Sequence, residues 1–386
     1  MEASLQLPVS KASNSLTEFR HEVRAFIQKE LDAESFQPDC DSWLAGFSRE
    51  WSMKMAEKGW VGMTFPKEYG GQGESNLKRY VVTEEMLAAG APVAAHWIAD
   101  RQTGPLLLKY GTEYQKQTFL PGICKGEVYF SIGLSEPNAG SDLANIHTKA
   151  VKESDEWLLN GSKIWTSGAH LQDYMIVLCR TEKQTEKKHE GLSQFIVDLR
   201  AKGVSIRPIT LMTGEEHFNE VFFENVRLSD EMIVGKLGEG WKQGMAELAF
   251  ERSGPERFLS TYPLLEEMIT VLKQRADANS TYAYTEIGKL VATLVTLRRM
   301  SFSIAQLLEE DQPASLVASL VKDLGNQFEN TIIETARMLI ESEPSSHSEQ
   351  KYERLLAKAM LHSPGFTLRG GTTEILRSIV GKGLGL

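Results

Sequence analysis

The first third of the chain has the apolar spacing of α-helices. One helical face is predicted from apolar positions three or four residues apart: Leu16, Phe19, Val23, Phe26 or Ile27, and Leu31. Ser15 and Glu18 stand in the S-x-x-E order of a capping box, so this helix is expected to begin at Ser15. Further helices are expected around Trp51, over 76–89, and in short pieces that end at Pro121.

Between residues 126 and 235 the pattern changes to a period of two. Short runs rich in Val, Ile, Phe and Tyr alternate with turn signals; the clearest are Val128–Leu134, Tyr174–Arg180, Gln194–Leu199 and Glu220–Phe223. Asn160-Gly161 has the composition of a hairpin turn, and a further strand is expected directly after it. Many short strands punctuated in this way are typical of a β-barrel or sandwich.

From residue 240 the helical period returns and continues to the end of the chain. A long apolar stripe is expected to form the core of a helical bundle: Leu290, Leu294, Leu297, Phe302 and Leu307. Ser342–Ser348 is expected to be a polar loop between two of these helices. The pattern therefore predicts an α+β fold with three domains, namely a helical domain over 1–125, a β domain over 126–236 and a helical domain over 237–386.

Composition and charge narrow the class of protein. The 386 residues carry 42 Lys and Arg against 52 Asp and Glu, a net charge of −10, which argues against nucleic-acid binding through a basic face. The three cysteines have neither metal-ligand nor C-x-x-C spacing, so no metal site is expected. The polar N-terminus and the lack of an 18-residue apolar run favour a cytoplasmic protein that does not span a membrane. The same features would also be found in an organelle protein whose targeting peptide has been removed, so this alternative stays open.

The first candidate for chemistry is the segment Leu134–Asp142, where a strand is followed by small and hydroxylated residues. Gly140 allows close approach to the backbone, and the hydroxyls of Ser135 and Ser141 can hold the polar edge of a ring or a phosphate oxygen. The same composition also suits a plain structural turn.

The second candidate is the segment Gly161–Gly168, in which Trp165 is followed by the hydroxyls of Thr166 and Ser167. A single tryptophan on a strand usually belongs to the core. With a loop of small residues upstream, the segment favours instead a wall for a planar, hydrogen-bonding ligand.

Together these segments resemble the two flavin-contacting signatures of the acyl-CoA dehydrogenase family, S-E-P-x-A-G-S-D and K-x-W-T-S-G. The segments Gly111–Gln117, Leu120–Gly122 and Gly238–Trp241 also look like that family, and the resemblance extends over nearly the whole chain. It implies FAD as the cofactor and a four-helix bundle as the C-terminal domain.

The resemblance also implies a reaction and its site. The reaction is α,β-dehydrogenation of an acyl-CoA thioester to the trans-2-enoyl product, with electrons passed to an acceptor such as an electron-transfer flavoprotein. An acyl-CoA oxidase would have the same signatures. The implied cofactor-binding residues are Leu134, Ser135, Gly140, Ser141, Trp165, Thr166, Ser167, Thr372 and Glu374. Ser141 is also implied to lie near the CoA.

The catalytic base is predicted from where the family carries a glutamate. Many members have it near the C-terminus in Y-E-G-T, but the matching position here is Gly370. Isovaleryl-type members place it before an arginine on the first long helix of the bundle, which matches Glu251 and Arg252. Glu251 is therefore the predicted base, with Arg252 near the CoA or acyl carbonyl; Glu247 and Glu374 are weaker candidates.

Two motifs of homotetrameric members are missing. R-x-x-F-G, which holds the FAD pyrophosphate, and Q-x-x-G-G-x-G do not occur, and only Arg275 lies where the first belongs. Either this chain uses Arg275 or another cation in a homotetramer, or a homologous chain supplies the contacts in a heterotetramer. Segments Ser253–Phe258 and Arg369–Glu374 resemble two-chain enzymes that oxidise steroid side-chain thioesters, which favours the heterotetramer. A third reading is a partner subunit that binds acyl-CoA with little activity alone.

Overall fold

The structure is a computed structural model that describes residues 7–8, 13–183, 186–251, 254–274 and 281–386, with the backbone alone for 246–251. The chain divides into two compact units. The first, here called the helical unit, consists of Met1–Gly46, Ser75–Pro92 and Arg252–Leu386. The second, the sheet unit, consists of Phe47–Glu74 and Val93–Glu251. Each unit is described by itself.

The described residues form thirteen α-helices and seven strands. Before the sheet come α1 (Asn14–Asp32), α2 (Ser42–Ala45), α3 (Arg49–Glu57), α4 (Asn76–Ala88), α5 (Ala94–Ile98), α6 (Gly104–Tyr110) and α7 (Glu113–Cys124). The strands are β1 (Phe130–Gly133), β2 (Lys149–Glu153), β3 (Glu156–Ser167), β4 (Tyr174–Arg180), β5 (Leu192–Asp198), β6 (Val204–Ile209) and β7 (Phe218–Leu228). After them come α8 (Gly240–Glu251), α9 (Tyr262–Gln274), α10 (Thr281–Glu309), α11 (Ser315–Leu339), α12 (Lys351–Phe366) and α13 (Thr373–Gly383).

The start of α1 differs from the sequence prediction. Ser13, not Ser15, is the N-cap, because its extended backbone lets its hydroxyl accept the N–H of Leu16 at 3.2 Å. A complete capping box occurs instead at α7, where Thr112 and Gln115 exchange side-chain and backbone hydrogen bonds of 3.3 and 3.2 Å. A capping pattern therefore locates a helix start only when the backbone of the first residue is extended.

The prediction that the helical pieces end at Pro121 is also wrong, because α7 continues through it to Cys124. Proline removes one N–H from a helix, but it does not forbid the residues after it from being helical. Phe119, Leu120 and Ile123 are buried, and this packing keeps the last turn in place.

The strands form one seven-stranded sheet in the order β1-β4-β2-β3-β7-β6, and β5 pairs antiparallel with β4 along its whole length, from Tyr174 to Arg180. β1 and β4 are parallel, whereas β3 pairs antiparallel with β2 and β7. Side chains of one sheet face form a buried core, among them Leu159, Val177, Val197 and Val221. The predicted α+β class, with helical parts around a middle β part, is confirmed.

The expected hairpin at Asn160-Gly161 is wrong. β3 runs straight through these residues, and the turn between β2 and β3 lies at Ser154, whose φ is 55°. Gly161 instead forms an irregularity in the pairing with β7, with φ at 141° and no room for a side chain against Thr148. A β-bulge needs the same permissive residue as a tight turn, so composition does not separate the two.

The helical unit buries the first part of the apolar stripe predicted for it, whereas Phe302 and Leu307 are partly buried. Leu290, Leu294 and Leu297 of α10 are buried, and α10 packs against α4 and α11. The rings of Tyr80 on α4 and Phe302 on α10 meet edge to face at 5.4 Å. The predicted polar loop lies between α11 and α12. Within the described part of the chain, every helix is too short or too polar to span a bilayer.

Candidate functional site

In the sheet unit, a buried ion pair joins the two segments that the sequence singles out. The Lys163 ammonium on β3 is fully buried and donates to Glu136 Oε1 at 2.8 Å and to the Leu134 carbonyl at 2.9 Å. The Ile164 N–H donates to the Ser135 carbonyl at 3.0 Å. The loop after β1 is therefore held against β3, so that Leu134 and Ser135 lie beside the strand that carries Trp165.

Glu136 is the centre of this junction. Besides Lys163 it accepts the backbone N–H groups of His147 at 2.6 Å and Thr148 at 2.9 Å. Burial acts to raise the pKa of Glu136, but the Lys163 charge and these hydrogen bonds outweigh burial and hold it below its usual value. The carboxylate therefore stays ionised and keeps all of its partners at neutral pH.

Trp165 occupies an unusual backbone position. The pairing of β3 with β7 shifts register between Lys163 and Thr166, and Trp165 has φ at 59°. A left-handed backbone is rare and costly for an aromatic residue. The residue is nevertheless 55% exposed, and its ring meets the Phe218 ring edge to face with the centroids 6.0 Å apart. A strained backbone that presents a flat ring to solvent is typical of a binding site rather than of a core.

Thr166 supplies the second unusual feature. The residue is 1% exposed, yet its hydroxyl has no hydrogen-bond partner among the described residues. A buried hydroxyl without a partner costs about 1–3 kcal/mol, so such groups usually have a ligand or water to bond. After Ser167 the chain turns away at Gly168, whose φ is 63° and whose N–H donates to the His217 carbonyl at 2.7 Å.

The loop after Glu136 is bordered by open space. Glu136 and Ala139 exchange backbone hydrogen bonds of 3.1 and 3.0 Å around the exposed Pro137-Asn138 turn. Gly140 and Ser141 are exposed, and a side chain added at Gly140 would meet nothing within 4 Å. A flat ring wall, an unpartnered hydroxyl and an open loop of small residues together fit a planar polar cofactor such as a flavin.

α8 carries the predicted base at its last residue, Glu251. In the sheet unit this helix packs against α6, β5 and a π-helical turn at Ala99–Thr103. Gln243 of α8 is buried and donates to the Val234 carbonyl at 2.8 Å. The Glu251 and Glu247 side chains, Arg252, Ser253 and Arg275 lie outside the described residues, so their roles stay predictions.

Thr103 is a candidate that the sequence did not reveal. It is fully buried in the π-helical turn beside α8, and its hydroxyl has no partner among the described residues. π-helical turns are frequent at functional sites. A π-helical turn adds one residue to the helical period. Neither apolar spacing nor a short motif predicts such a turn from a single sequence.

Thr372 and Glu374 belong to the helical unit. The Thr372 hydroxyl caps α13 by accepting the Ile375 N–H at 3.4 Å, and Glu374 is exposed in the first turn. A backbone N–H bond and the Thr372 hydroxyl lower the pKa of Glu374. Helix capping explains these contacts, and the cofactor role of both residues stays a prediction.

Comparisons with known proteins give the family. Three domain models match consecutive parts of the chain: acyl-CoA dehydrogenase N-terminal domain over 13–127, middle domain over 131–226 and C-terminal domain over 238–385. The chain therefore belongs to the acyl-CoA dehydrogenase family. It is an oxidoreductase, and the reaction of its family is the dehydrogenation of acyl-CoA. The family implies a flavin cofactor.

Individual relatives and solved structures resemble the chain over nearly its whole length. Over 371 residues the chain is 31% identical to acyl-CoA dehydrogenase IpdE1 of Mycobacterium tuberculosis, covering 94% of this chain and 95% of the relative. Among solved structures it is similar to the Tcur3481-Tcur3483 steroid ACAD, at 30% identity and a TM-score of 0.86 over 97% of this chain and 98% of that one. It is also similar to a chain of the ChsE4-ChsE5 complex from Mycobacterium tuberculosis, at 29% identity and a TM-score of 0.84 over 97% of this chain and 98% of that one.

Proposed function

We propose that the protein uses FAD to convert an acyl-CoA thioester into the trans-2-enoyl-CoA, with Glu251 as the base that removes the α-proton. The observation that carries the proposal is the exposed Trp165 ring, on a strained backbone, next to the buried and unpartnered Thr166 hydroxyl. The flavin supplies the acceptor for the β-hydride at N5. The protein supplies the wall, the hydrogen bonds and the base.

The residues of the sheet unit divide the binding work. Trp165 would form the wall for the ring, with the Thr166 and Ser167 hydroxyls as hydrogen-bonding groups at its edge. Leu134 and Ser135 would meet the pyrimidine edge, because the Lys163–Glu136 pair holds their loop against β3. Gly140 and Ser141, exposed on the open part of the loop, are suited to a phosphate of the cofactor or of CoA.

Glu251 is proposed as the base because Gly370 stands where other members carry their glutamate. The neighbours of Glu251 in α8, Leu248, Ala249 and Phe250, are apolar. A carboxylate at this place loses hydration when substrate excludes water, which raises its pKa and strengthens it as a base. Arg252 is proposed to lie near the CoA or the acyl carbonyl.

The test is anaerobic flavin bleaching by acyl-CoA in the Glu251→Gln variant. We expect this variant to retain bound flavin and to lose bleaching, since the amide cannot accept the α-proton. Glu247→Gln, one helical turn earlier on α8, is the matched control and should bleach like the wild type. Bleaching at nearly the wild-type rate in Glu251→Gln would contradict the assignment of the base.

We also propose that a homologous chain completes the FAD site, giving a heterotetramer rather than a homotetramer. The missing R-x-x-F-G and Q-x-x-G-G-x-G motifs leave the pyrophosphate without its usual cation, and charge-assisted contacts to phosphate are among the stronger hydrogen bonds. Relatives whose names specify a steroid ACAD and a two-chain complex support bulky, steroid-type thioesters as substrates. An electron-transfer flavoprotein is the proposed electron acceptor.

Flavin occupancy tests this arrangement. The chain purified alone should be largely free of flavin, and co-expression with the homologous chain should restore flavin absorbance and activity. Full occupancy in the isolated chain would contradict the two-chain proposal. If flavin is restored but activity does not depend on Glu251, the alternative is favoured that this chain is a non-catalytic partner subunit. The glycine at position 370 also fits that alternative.

A further inference from the structure

Asn219 of β7 is a fully buried amide whose contacts lead to the Trp165–Thr166 wall. Its Nδ2 donates to the Thr166 carbonyl at 3.0 Å. Its Oδ1 lies 2.7 Å from Nδ1 of His170, an exposed residue in the turn after β3. Asn219 also pairs with Thr166 in the ladder between β3 and β7, directly after the register shift that contains Trp165.

The hydrogen bonds around Asn219 have a single consistent direction. The Thr166 carbonyl can only accept, so the amide nitrogen must face it and the amide oxygen must face His170. His170 must then donate from Nδ1, which selects the Nδ1-protonated tautomer of the neutral ring. Because Nδ1 also carries its proton in the imidazolium, the chain of bonds from His170 to Thr166 persists in both charge states.

We propose that Asn219 is a positioning residue for the flavin wall, oriented by His170. The bulge places Trp165 at a costly φ, and the ladder is interrupted between Lys163 and Thr166. The Asn219 amide replaces the lost ladder contact by binding the carbonyl of Thr166. It thereby fixes the Thr166–Ser167 peptide, which directly follows the residue with the buried hydroxyl and lies one residue after the exposed ring of Trp165.

This role differs from ordinary core packing. A residue that only stabilises the fold would change the melting temperature and leave the ligand contacts of the folded protein unchanged. A positioning residue must change the contacts of the bound flavin itself. The inference rests on the proposed flavin site, so its test needs a wild-type reference that binds flavin.

The experiment measures FAD affinity and the visible circular dichroism of the bound flavin, using the wild type alone or with its homologous chain, whichever form binds. In Asn219→Asp the carboxylate keeps an acceptor for His170 but cannot donate to Thr166. We expect flavin binding to weaken about tenfold, as for loss of a partner to a buried carbonyl, with an altered visible spectrum. His170→Ala should change both readouts in the same direction, by about threefold in affinity.

The matched control is Asn225→Asp, the same substitution at an exposed position of β7, where the amide pairs with Asn160 instead. It should leave flavin affinity unchanged. Because a buried carboxylate can prevent folding, the exposed His170→Ala variant carries the test if Asn219→Asp does not fold. Unchanged affinity and spectrum in the folded variants, even with a lower melting temperature, would overturn the inference. A wild type that binds no flavin in either form would overturn the proposed function as well.

Discussion

Among single residues, Thr166 and Thr148 form an informative pair in the sheet unit. Both are 1% exposed threonines. The Thr148 hydroxyl donates to the Ser162 carbonyl at 3.1 Å, whereas the Thr166 hydroxyl has no partner among the described residues. One hydroxyl therefore stabilises the fold, and the other is retained at a cost.

Replacing Thr166 with Val should separate stability from binding. Without ligand, the variant should be as stable as the wild type or more stable by about 1 kcal/mol, because an unsatisfied buried hydroxyl is removed. Flavin affinity should fall because the protein loses the Thr166 hydroxyl as a hydrogen-bonding group at the edge of the flavin ring. Urea unfolding of the flavin-free protein and flavin titration measure the two effects. Thr148→Val is the control and should lose about 1 kcal/mol; equal losses in both variants would contradict the interpretation.

The Lys163–Glu136 pair gives a second prediction at this scale. Lys163→Met should destabilise the protein by about 3–5 kcal/mol, because it leaves a buried carboxylate without its cation. The double variant Lys163→Met with Glu136→Gln should recover part of this loss, since no buried charge remains. Chemical denaturation of the two variants and of Glu136→Gln alone measures the coupling. Additive losses in the double variant would show that the pair does not act as a unit.

Among elements of the helical unit, α11 and α12 contribute to a buried polar network that includes residues outside the two helices. Arg369 and His362 donate to Asp41 Oδ2 at 2.6 and 2.8 Å, and the Ser260 N–H donates to Glu329 Oε1 at 2.8 Å. Burial acts to raise the pKa of Asp41, but Arg369 and His362 outweigh burial and lower it. Burial raises the pKa of Glu329 to about 7, and Arg369 only partly opposes it.

Glu329 should therefore make stability depend on pH. In the unfolded chain its pKa is near the ordinary glutamate value of 4.5, and in the folded protein it is about 7. Between these values the folded state holds a proton that the unfolded state has lost, so stability falls as pH rises through this range. Across this range, the ionisation of Glu329 lowers the free energy of unfolding by about 3 kcal/mol.

The variant Glu329→Gln keeps an acceptor for Ser260 and cannot ionise, so it isolates this effect. Its free energy of unfolding relative to wild type should increase between about pH 5 and about pH 7 and then level off. Urea unfolding across this range measures the difference, with Glu334→Gln, an exposed glutamate of α11, as the control. A pH-independent difference would contradict the raised pKa.

On the scale of the whole molecule, the compact units do not follow the three sequence blocks. The helical unit takes α1, α2 and α4 from the N-terminal part and α9–α13 from the C-terminal part. Arg298 of α10 forms two hydrogen bonds to Glu84 of α4, at 2.7 and 3.0 Å, and α4 also packs on α1. The three-domain division at 125 and 236 stays a prediction.

A fragment of residues 1–125 should therefore not fold cooperatively. It would keep α1 and α4 but lose α10, leaving the buried Glu84 without Arg298 and Tyr80 without Phe302. Thermal denaturation followed by circular dichroism should be broad, and a dye that binds exposed apolar surface should bind strongly. The full chain is the control, and a sharp transition in the fragment would contradict the shared core.

Sequence patterns predicted the elements with strong period, including α4, β4 and the apolar face of α10, because local spacing determines which side is buried. They failed at Ser15, Pro121 and Asn160-Gly161, where the same residue types serve two backbone geometries. Thr103 and Asn219 left no signal, because their roles arise from an inserted π-helical turn and from a strand partner distant in sequence.

Residue patterns alone were enough to establish the α+β class, the family and the two signature segments, and to predict Glu251 rather than position 370 as the base. All of these depend on residue identity along short stretches of chain. The folded structure was needed to show that Trp165 has a strained backbone, that the buried Thr166 hydroxyl has no partner among the described residues, and that Asn219 binds the Thr166 carbonyl. These properties depend on which strands pair and where their register shifts, and that is set by packing between residues far apart in the chain.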